Sequence, residues 1–351
     1  MTTDAWAAVR RLSDALERED FEGRDPYDAL SSPVLRRVAR GRLARGAAIQ
    51  ALRRSPVDVR GLVGVPKRRH AKGLALCVSA YARLARLEPD GPWSGLATSL
   101  ANDLAGRAGR AGGFGYDFDV QTRWGYYRAG EPNAVVTSFA AQALLDAGLD
   151  APARRAAGWA LERLPVDGTF FAYHEGSRVP IHNASLLVAS LAARAGRAEE
   201  ARDAVAYTVE RQRPDGSWPY GEAPGLEWVD GYHTMYVLDA LSGWDEAAAV
   251  ERGLRLYLDR LIDPDGAPRA TLDSRFPLEA HAAGTAIGGL AGLGELGTAE
   301  KVLAWTLRTL ARCDGRFAFR QGRFLRNRTA YVRWSDGHML LGLARYLEAT
   351  A

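Results

Sequence analysis

The chain has 351 residues, of which 47% are hydrophobic and 25% are charged. This balance is typical of a globular protein with a large core and excludes an intrinsically disordered chain. The formal net charge is +4, but acidic residues are mixed with the arginines along most of the chain, so we do not expect a nucleic-acid partner.

The first 34 residues are interpreted as an N-terminal lead-in that contributes to the rim of the fold. Residues 1–11 lack the apolar core of a signal peptide, and no apolar run is long enough to span a membrane. We therefore predict a cytoplasmic protein without a membrane span, in which residues 1–351 form a single domain.

Residues 36–72 are rich in arginine. An arm that binds nucleic acid is one interpretation, but apolar residues recur there at helical spacing, which favours the solvated face of a helix. Cys77 and Cys313 lie in apolar stretches, so we predict two buried free thiols rather than a disulfide.

From residue 35 onward, two kinds of helix alternate along the chain. Apolar helices rich in small residues are predicted near 70–87, 133–147, 182–195, 231–243, 280–293 and 332–348. Amphipathic helices are predicted near 35–54, 93–110, 152–164, 199–213, 246–262 and 298–313. This alternation predicts six helical hairpins, each with one buried and one half-exposed helix.

A turn recurs at intervals of about fifty residues, which indicates an internal repeat. Its copies are Gly112-Gly113-Phe114, Asp167-Gly168-Thr169-Phe170, Asp215-Gly216-Ser217-Trp218, Asp265-Gly266-Ala267-Pro268 and Asp314-Gly315-Arg316-Phe317. The glycine permits a positive φ, and in four of the copies a nearby aromatic side chain can fill the edge of the next hairpin.

Taken together, the repeat predicts an all-α fold, a closed (α/α)6 toroid of six helical hairpins with the apolar helices inside. An open solenoid is the alternative. It would expose its first and last apolar helices unless they were capped, so closure is favoured.

Polar residues stand at the start of the predicted inner helices. They are Asn133, His182, Asn183, Asp230, His233, Glu279, His281, Arg333 and Asp336. In an alternating ring all inner N-termini face one end, so we expect these groups to line one cavity, where the partial positive charge of the helix ends favours an anionic ligand. Simple helix capping explains Asn133, Asn183 and Asp230 equally well, but not the histidines.

Further polar and aromatic residues are expected at the same rim. They are Asp117, Asp119, Gln121, Arg123, Arg178, Tyr220, Trp228 and Tyr232. Aromatic rings stack on the apolar face of a sugar while amides and carboxylates pair with its hydroxyls. Arg123, Arg178 and Arg333 could hold a carboxylate or phosphate. The sequence has no His-x-x-x-His or Cys-x-x-Cys pair, so neither a metal nor another cofactor is expected.

The turn from Gln212 to Trp218 resembles the repeat of squalene and oxidosqualene cyclases and of protein prenyltransferase β-subunits, which are toroids. Most of the chain, including Asp25–Pro33, Pro132–Phe139 and Trp228–Thr234, is similar to toroid proteins found with surface-polysaccharide biosynthesis genes. The acidic cluster of the cyclases is incomplete at Asp117-Phe118-Asp119. Uronic-acid lyases and unsaturated glucuronyl hydrolases share the toroid and use the kinds of residue that this rim supplies.

These observations favour an enzyme that acts on an acidic or phosphorylated glycan as a lyase, epimerase or hydrolase. Arg123 and Arg333 are expected to neutralise the substrate. His182 or His233 is the expected base, oriented by Asp230, and Glu279 or Asp336 the expected acid. His281 is a further candidate for proton transfer. A terpenoid-type cyclase and a non-catalytic glycan-binding scaffold are the alternatives.

Overall fold

A computed structural model of the chain describes residues 1–122 and 125–351. The α-helices of this part are α1 (Thr2–Arg18), α2 (Pro33–Val38), α3 (Arg42–Arg54), α4 (Ala71–Leu87), α5 (Trp93–Gly106), α6 (Ala134–Asp146), α7 (Asp150–Arg163), α8 (His182–Arg194), α9 (Arg202–Glu210), α10 (Gly231–Leu241), α11 (Ala247–Leu256), α12 (Ala280–Gly292), α13 (Leu296–Thr309) and α14 (Gly337–Ala349). Short 3-10 helices at Asp28–Ser31 and Ala198–Ala201 and π-helical turns at Tyr257–Leu261 and Val332–Asp336 complete the helical part.

Two-residue strands form small antiparallel ladders in the loops. They are β1 (Val120–Gln121), β2 (Tyr126–Tyr127), β3 (Pro165–Val166), β4 (Phe170–Phe171), β5 (Leu278–Glu279), β6 (Arg320–Gln321) and β7 (Arg326–Asn327). β1 pairs with β2, β3 with β4, and β6 lies between β5 and β7. These ladders hold the loops that precede the inner helices.

The even-numbered helices from α4 to α14 form a closed inner ring. Each packs on the next in chain order, and α14 packs on α4. Their small side chains allow this close approach; a Cβ on Gly342 of α14, for example, would lie 2.1 Å from the carbonyl oxygen of Gly284 in α12. The predicted closed, all-α toroid is confirmed.

The sixth outer helix is α1, and not the helix predicted near 35–54. Gly216 and Gly266 press against the carbonyl oxygens of Arg252 and Lys301 in the next outer helix, 2.5 and 2.4 Å from where a Cβ would stand. Gly315 makes the same approach, at 2.4 Å, to the carbonyl oxygen of Arg11 in α1. The first helix of the chain therefore closes the outer ring beside the last inner helix.

The segment between α1 and α4 crosses the end of the ring where the inner helices begin. Gly41, with a φ of 81°, separates α2 from α3, so the predicted single helix over 35–54 is two helices. A small apolar core of its own, formed by Ala29, Leu30, Ile49, Leu52 and Val65, holds this segment together. It brings Asp25, Tyr27 and Arg53 over the inner helices.

The two cysteines differ in their surroundings. Cys77 is buried in α4, as predicted, and burial raises the pKa of its thiol to about 12. Cys313 is exposed in the turn after α13, where the sequence pattern predicted a buried thiol. No helix in the described ranges is long and apolar enough to cross a membrane.

Candidate functional site

The end of the ring where the inner helices begin, here called the N-terminal pole, gathers most of the predicted site residues. Asn133, Asp230 and Glu279 are the N-cap residues of α6, α10 and α12, and His182 is the first residue of α8. Because the inner helices run in the same direction, these positions share one end of the ring.

Asp230 and His233 form a hydrogen-bonded pair at the start of α10. Oδ1 of Asp230 accepts the backbone N–H of His233 at 2.8 Å, and Oδ2 lies 2.8 Å from Nδ1 of the same residue. The carboxylate is buried, whereas the His233 side chain keeps 20% of its surface exposed. The carboxylate favours the tautomer with the proton on Nδ1, which leaves Nε2 free to accept a proton.

Aromatic side chains surround His233. Tyr220 and Trp228 stack with their ring centroids 4.3 Å apart. Tyr220 and Tyr232 lie 4.6 and 4.4 Å from the His233 ring. All three aromatic residues are half-buried, so they combine apolar faces with a residual opening, which is the combination that sugar binding requires.

Two further imidazole rings, those of His281 and His338, stack next to Tyr232. Tyr232 stacks on His281 at 4.2 Å, and His281 stacks on His338 at 3.8 Å. The Tyr236 hydroxyl lies 2.7 Å from Nε2 of His281. Burial lowers the pKa of His281 and of His338 well below the usual value, so both rings are neutral near pH 7 and are weak bases.

Glu279 contacts Trp334, whose ring lies against that of His281. Its Oε2 accepts the indole N–H of Trp334 at 3.4 Å, and the Trp334 ring stands 4.6 Å from that of His281. Arg53 approaches Oε1 at 3.9 Å. Burial raises the pKa of the Glu279 carboxyl, which favours the protonated form and suits a proton donor.

Two predicted residues are held in ion pairs. Nε and Nη2 of Arg333 donate to both oxygens of Asp25, at 2.5 and 2.8 Å. Asp336 accepts from Nε of Arg316 at 2.8 Å and from the backbone N–H of Phe317 at 3.0 Å. In two other hairpins, the hydroxyl groups of Thr137 and Ser185 accept the equivalent backbone N–H. The hydrogen bond from Asp336 to the backbone therefore stabilises a turn.

His182 and Asn183 lie at the wall between α8 and α10. Nε2 of His182 is 3.3 Å from Glu222, away from the histidine stack, and burial lowers the pKa of its imidazole to about 4. Oδ1 of Asn183 is buried and has no hydrogen-bond partner among the described residues. Both residues border a small cavity of about 10 Å³ that Asp230 and His233 also line.

Most of the predicted rim residues bind backbone groups of the loops and of the helix starts. Asp117 accepts from the N–H of Ala71 at 2.9 Å, Asp119 from Ala129 at 2.8 Å, and Asn133 from Val136 at 3.0 Å. Gln121 donates to carbonyl oxygens of its own hairpin. Arg178 is exposed and pairs with Asp167. Arg123 lies outside the described residues.

Sequence reasoning missed Lys72, Tyr236 and His338. The helical period offered a signal for one of them: Tyr236 lies four residues after the predicted Tyr232 on α10, so both share one face of the helix. Lys72 was treated as one of many basic residues between 36 and 72. His338 is the one histidine of an inner helix that does not stand at its predicted start.

A cavity of about 740 Å³ opens at the opposite end of the ring, here called the C-terminal pole. Phe139, Tyr236 and His338 are among its lining residues and belong to the first two turns of their helices. Near the mouth, Asp146 accepts from Arg83 at 2.9 Å and from Arg194 at 2.7 Å. The cavity thus approaches the histidine stack from the side opposite to the N-terminal pole.

No family model matches the chain, and no curated protein matches its sequence. Solved structures do resemble it. A cellobiose 2-epimerase from Bacillus thermoamylovorans aligns with a TM-score of 0.62 at 10% identity, over 81% of this chain and 88% of the other. An unsaturated glucuronyl hydrolase specific for heparin aligns with a TM-score of 0.60 at 13% identity, over 80% and 86%. The fold is that of the (α/α)6 toroids.

A type II terpene cyclase from Scytonema, in complex with geranylgeranyl dihydroxybenzoate, aligns with a TM-score of 0.53 at 14% identity, over 80% of this chain and 86% of the other. Toroids with sugar and terpenoid chemistry are therefore both among the structures similar to this chain. At such low identity the likeness shows the fold, and the choice between activities depends on the residues at the N-terminal pole.

Proposed function

We propose that the protein is a carbohydrate-active enzyme that transfers protons at the N-terminal pole, as an epimerase or a lyase. The observation that carries this proposal is the Asp230–His233 pair among the half-buried rings of Tyr220, Trp228 and Tyr232. Aromatic faces suit the apolar side of a sugar ring, and Nε2 of His233 is placed to remove a proton from it.

Epimerisation and elimination both begin with removal of a proton from a carbon next to a carbonyl or carboxylate group. His233 is the proposed base, because Asp230 orients its ring and stabilises the charge that it gains. Glu279 is the proposed acid. Its raised pKa keeps a proton available, and it lies one aromatic ring, that of Trp334, away from His281.

Hydrolysis is less well supported. It uses two carboxyl groups on either side of the glycosidic bond. Asp25 and Asp336 are neutralised by Arg333 and Arg316, and Asp230 is bound to His233 and to the backbone. Glu279 has longer ion pairs than these, with Arg53 at 3.9 Å and Arg320 at 4.0 Å, so it is the one carboxyl group of this set that suits a proton donor.

An anionic sugar, acidic or phosphorylated, is the proposed substrate class. The start of each inner helix contributes partial positive charge to this pole, and Arg53 adds a side chain that is 25% exposed and faces Glu279. Arg333 was the expected clamp for the substrate; bound to Asp25, it supports the pocket wall and adds little net charge.

A terpenoid-type cyclase is the second candidate, favoured by the rings of Tyr116, Phe118 and Trp334, which could stabilise a carbocation. These rings already surround a cation, however. The Arg333 guanidinium carbon lies 5.2, 5.8 and 5.1 Å from their centroids. Because the guanidinium already occupies these faces, a carbocation could not stack on them in its place, so we favour the sugar.

The test combines titration calorimetry with product analysis, using cellobiose, glucuronic acid, uronic-acid oligosaccharides and sugar phosphates. We expect binding of an anionic member and an epimerised or unsaturated product. His233→Gln should lower kcat by about 10²–10⁴-fold and leave the affinity within about threefold, because a proton-transfer group acts on the rate. Arg178→Gln, on an exposed loop, is the matched control.

Other outcomes would replace the proposal. Binding without any product from the wild-type protein would favour a glycan-binding scaffold. Absence of sugar binding, together with turnover of a polyprene or prenyl diphosphate, would favour the cyclase.

A further inference from the structure

Exposed large apolar side chains are concentrated in a few segments of the chain. Nine are exposed in residues 1–122 and 125–351, and eight of them belong to residues 34–62 or to the β1–β2 and β6–β7 hairpins. The most exposed are Leu43, Leu62 and Phe324, with 87%, 88% and 85% of their surface accessible. A single apolar side chain in water needs no explanation, but a group of them marks a surface that meets a partner.

The two segments that hold most of these side chains adjoin at the N-terminal pole. Nδ2 of Asn327, in β7, donates to the carbonyl oxygen of Ser55, just after α3, at 2.7 Å. Nη2 of Arg320, in β6, donates to the carbonyl oxygen of Arg53, in α3, at 3.3 Å. The β6–β7 hairpin therefore lies against the end of α3 and the loop that follows it.

This region carries a large excess of positive charge. Residues 33–69 and 320–328, here called the basic face, contain 15 Arg or Lys residues and one acidic residue, Asp58, which gives a net charge of +14. Because the whole chain has 46 basic and 42 acidic residues, the remainder has 31 and 41, which gives a net charge of −10. The small net charge of the chain thus combines an acidic body with one strongly basic face.

Much of this charge is not neutralised within the protein. Arg36, Arg37 and Arg323 are exposed, and none of them forms an ion pair with an acidic side chain of the described residues. An exposed arginine of an outer helix behaves differently: Arg255, in α11, binds Glu251 of the same helix at 2.8 Å. The basic face therefore presents uncompensated positive charge next to apolar side chains.

We propose that the basic face docks the protein on the surface of an anionic lipid bilayer. Clustered arginines are attracted to the negative headgroups, and exposed Leu, Val and Phe side chains enter the boundary between headgroups and acyl chains. Such docking is peripheral and requires no membrane-spanning helix. It goes beyond the proposed sugar chemistry, since neither His233 nor Glu279 belongs to the basic face.

The apolar side chains distinguish a bilayer from other occupants. Nucleic acids and anionic polysaccharides attract arginines as well, but they offer no apolar layer for Leu43, Leu62 and Leu325. A second copy of the chain would bring two strongly positive faces together, which electrostatic repulsion opposes. A bilayer with anionic lipids neutralises the arginines and removes the apolar side chains from water at the same time.

Sedimentation of the whole protein with lipid vesicles tests this proposal. One preparation contains phosphatidylcholine alone, and the other contains equal amounts of phosphatidylcholine and phosphatidylglycerol. We expect the anionic vesicles to bind the protein at least about 10-fold more tightly, and higher salt to weaken this binding. Failure to bind anionic vesicles, or equal binding to both preparations, would overturn the proposal.

A triple variant measures the contribution of charge. Arg36→Gln, Arg37→Gln and Arg323→Gln together should weaken binding to anionic vesicles by about 100-fold, since each arginine near a charged membrane contributes about fivefold.

The matched control removes three exposed arginines from outside the basic face, which leaves the same total charge as the triple variant. The control substitutions are Arg154→Gln, Arg202→Gln and Arg255→Gln, at side chains that are 70%, 64% and 67% exposed. The control should keep its affinity within about threefold, because its charges lie more than a screening length from a docked membrane. A control that binds as weakly as the triple variant would show that total charge, and not the basic face, attracts the vesicles.

A second variant measures the apolar contribution. Leu62→Ser with Phe324→Ser changes two side chains that are mostly in water, so the fold should persist, which circular dichroism checks. Binding to anionic vesicles should fall by at least about 10-fold.

The remaining outcomes point to other occupants. Unchanged vesicle binding in the apolar variant, with tighter binding of a DNA duplex than of vesicles, would replace the bilayer by a nucleic acid. A wild-type dimer that this variant converts to a monomer would replace it by a second copy. These measurements use no sugar, so they are independent of the proposed function.

Discussion

Both poles of the ring contain polar groups, but these groups are paired at one pole and partly unpaired at the other. At the C-terminal pole, charges are paired around an open cavity: Asp146 binds Arg83 and Arg194, and Asp239 binds Arg345. At the N-terminal pole, several polar atoms are buried without a hydrogen-bond partner among the described residues, including Nδ1 of His281, Oδ1 of Asn183 and Nδ1 of His182.

The contrast shows that the larger cavity does not by itself identify the chemistry. Ion pairs that staple neighbouring helices at a solvated mouth satisfy each other and need no ligand. Buried groups without partners cost stability, and a folded protein retains them where a ligand or a reaction requires them. The N-terminal pole is therefore the better candidate for the functional site. The large cavity opens at the opposite pole.

The largest effect on the free energy of unfolding is expected from removing the arginine of the buried ion pair at the N-terminal pole. Arg333→Met leaves Asp25, which is fully buried, without its cation. The expected loss is about 3–5 kcal/mol of unfolding free energy, because an uncompensated buried charge remains. Urea denaturation followed by circular dichroism measures it.

The matched variant for this pair is the double substitution Arg333→Met with Asp25→Asn, which removes both charges. It should recover part of the lost stability. Equal stability of Arg333→Met and the wild type would show that the pair does not hold the N-terminal segment to the last inner helix.

The buried imidazoles should make stability depend on acidity. The folded pKa of His182 is about 4, below the unfolded value of about 6.5. A group with a depressed folded pKa contributes its full stability above the unfolded pKa, and this contribution is lost as the pH falls from about 6.5 to about 4. For His182 the loss amounts to about 3 kcal/mol, and His281 and His338 act in the same direction.

Comparison with His182→Gln isolates this contribution, since glutamine does not titrate. Between pH 7 and pH 4 the variant should lose about 3 kcal/mol less unfolding free energy than the wild type. Parallel curves for the two proteins, measured by denaturation at each pH, would mean that the His182 imidazole is solvated rather than buried.

The sequence predicted the architecture well because the architecture repeats. The inner helices begin within a few residues of the predicted positions, and Gly112, Gly168, Gly216, Gly266 and Gly315 all have the positive φ that the turns require. α1 was misjudged, although its buried Ala5, Val9, Leu12 and Leu16 follow a helical period, because no repeat turn precedes it.

The site was less predictable, because partners that are distant in sequence decide what each side chain does. Arg333 forms an ion pair with Asp25, which is 308 residues away in the sequence. The carboxylate of Asp336 forms an ion pair with Arg316. The stack of His281 on His338 joins two helices. A local motif indicates which groups stand at a helix start, but not which of them a salt bridge neutralises.

The smallest expected effect comes from the C-terminal pole. Arg194→Gln removes one of the two arginines that bind Asp146, but Arg83 and Ser79 still contact that carboxylate, at 2.9 and 2.7 Å. Because Arg194 is 37% exposed, its ion pair is screened by water, and the unfolding free energy should fall by at most about 1 kcal/mol. Raising the salt concentration should narrow this difference further. Turnover of the sugar should be unchanged, since Arg194 lies at the mouth of the cavity and not at the histidine stack. A loss of turnover in this variant, with stability intact, would instead show that substrate reaches Tyr236 and His338 through the C-terminal pole.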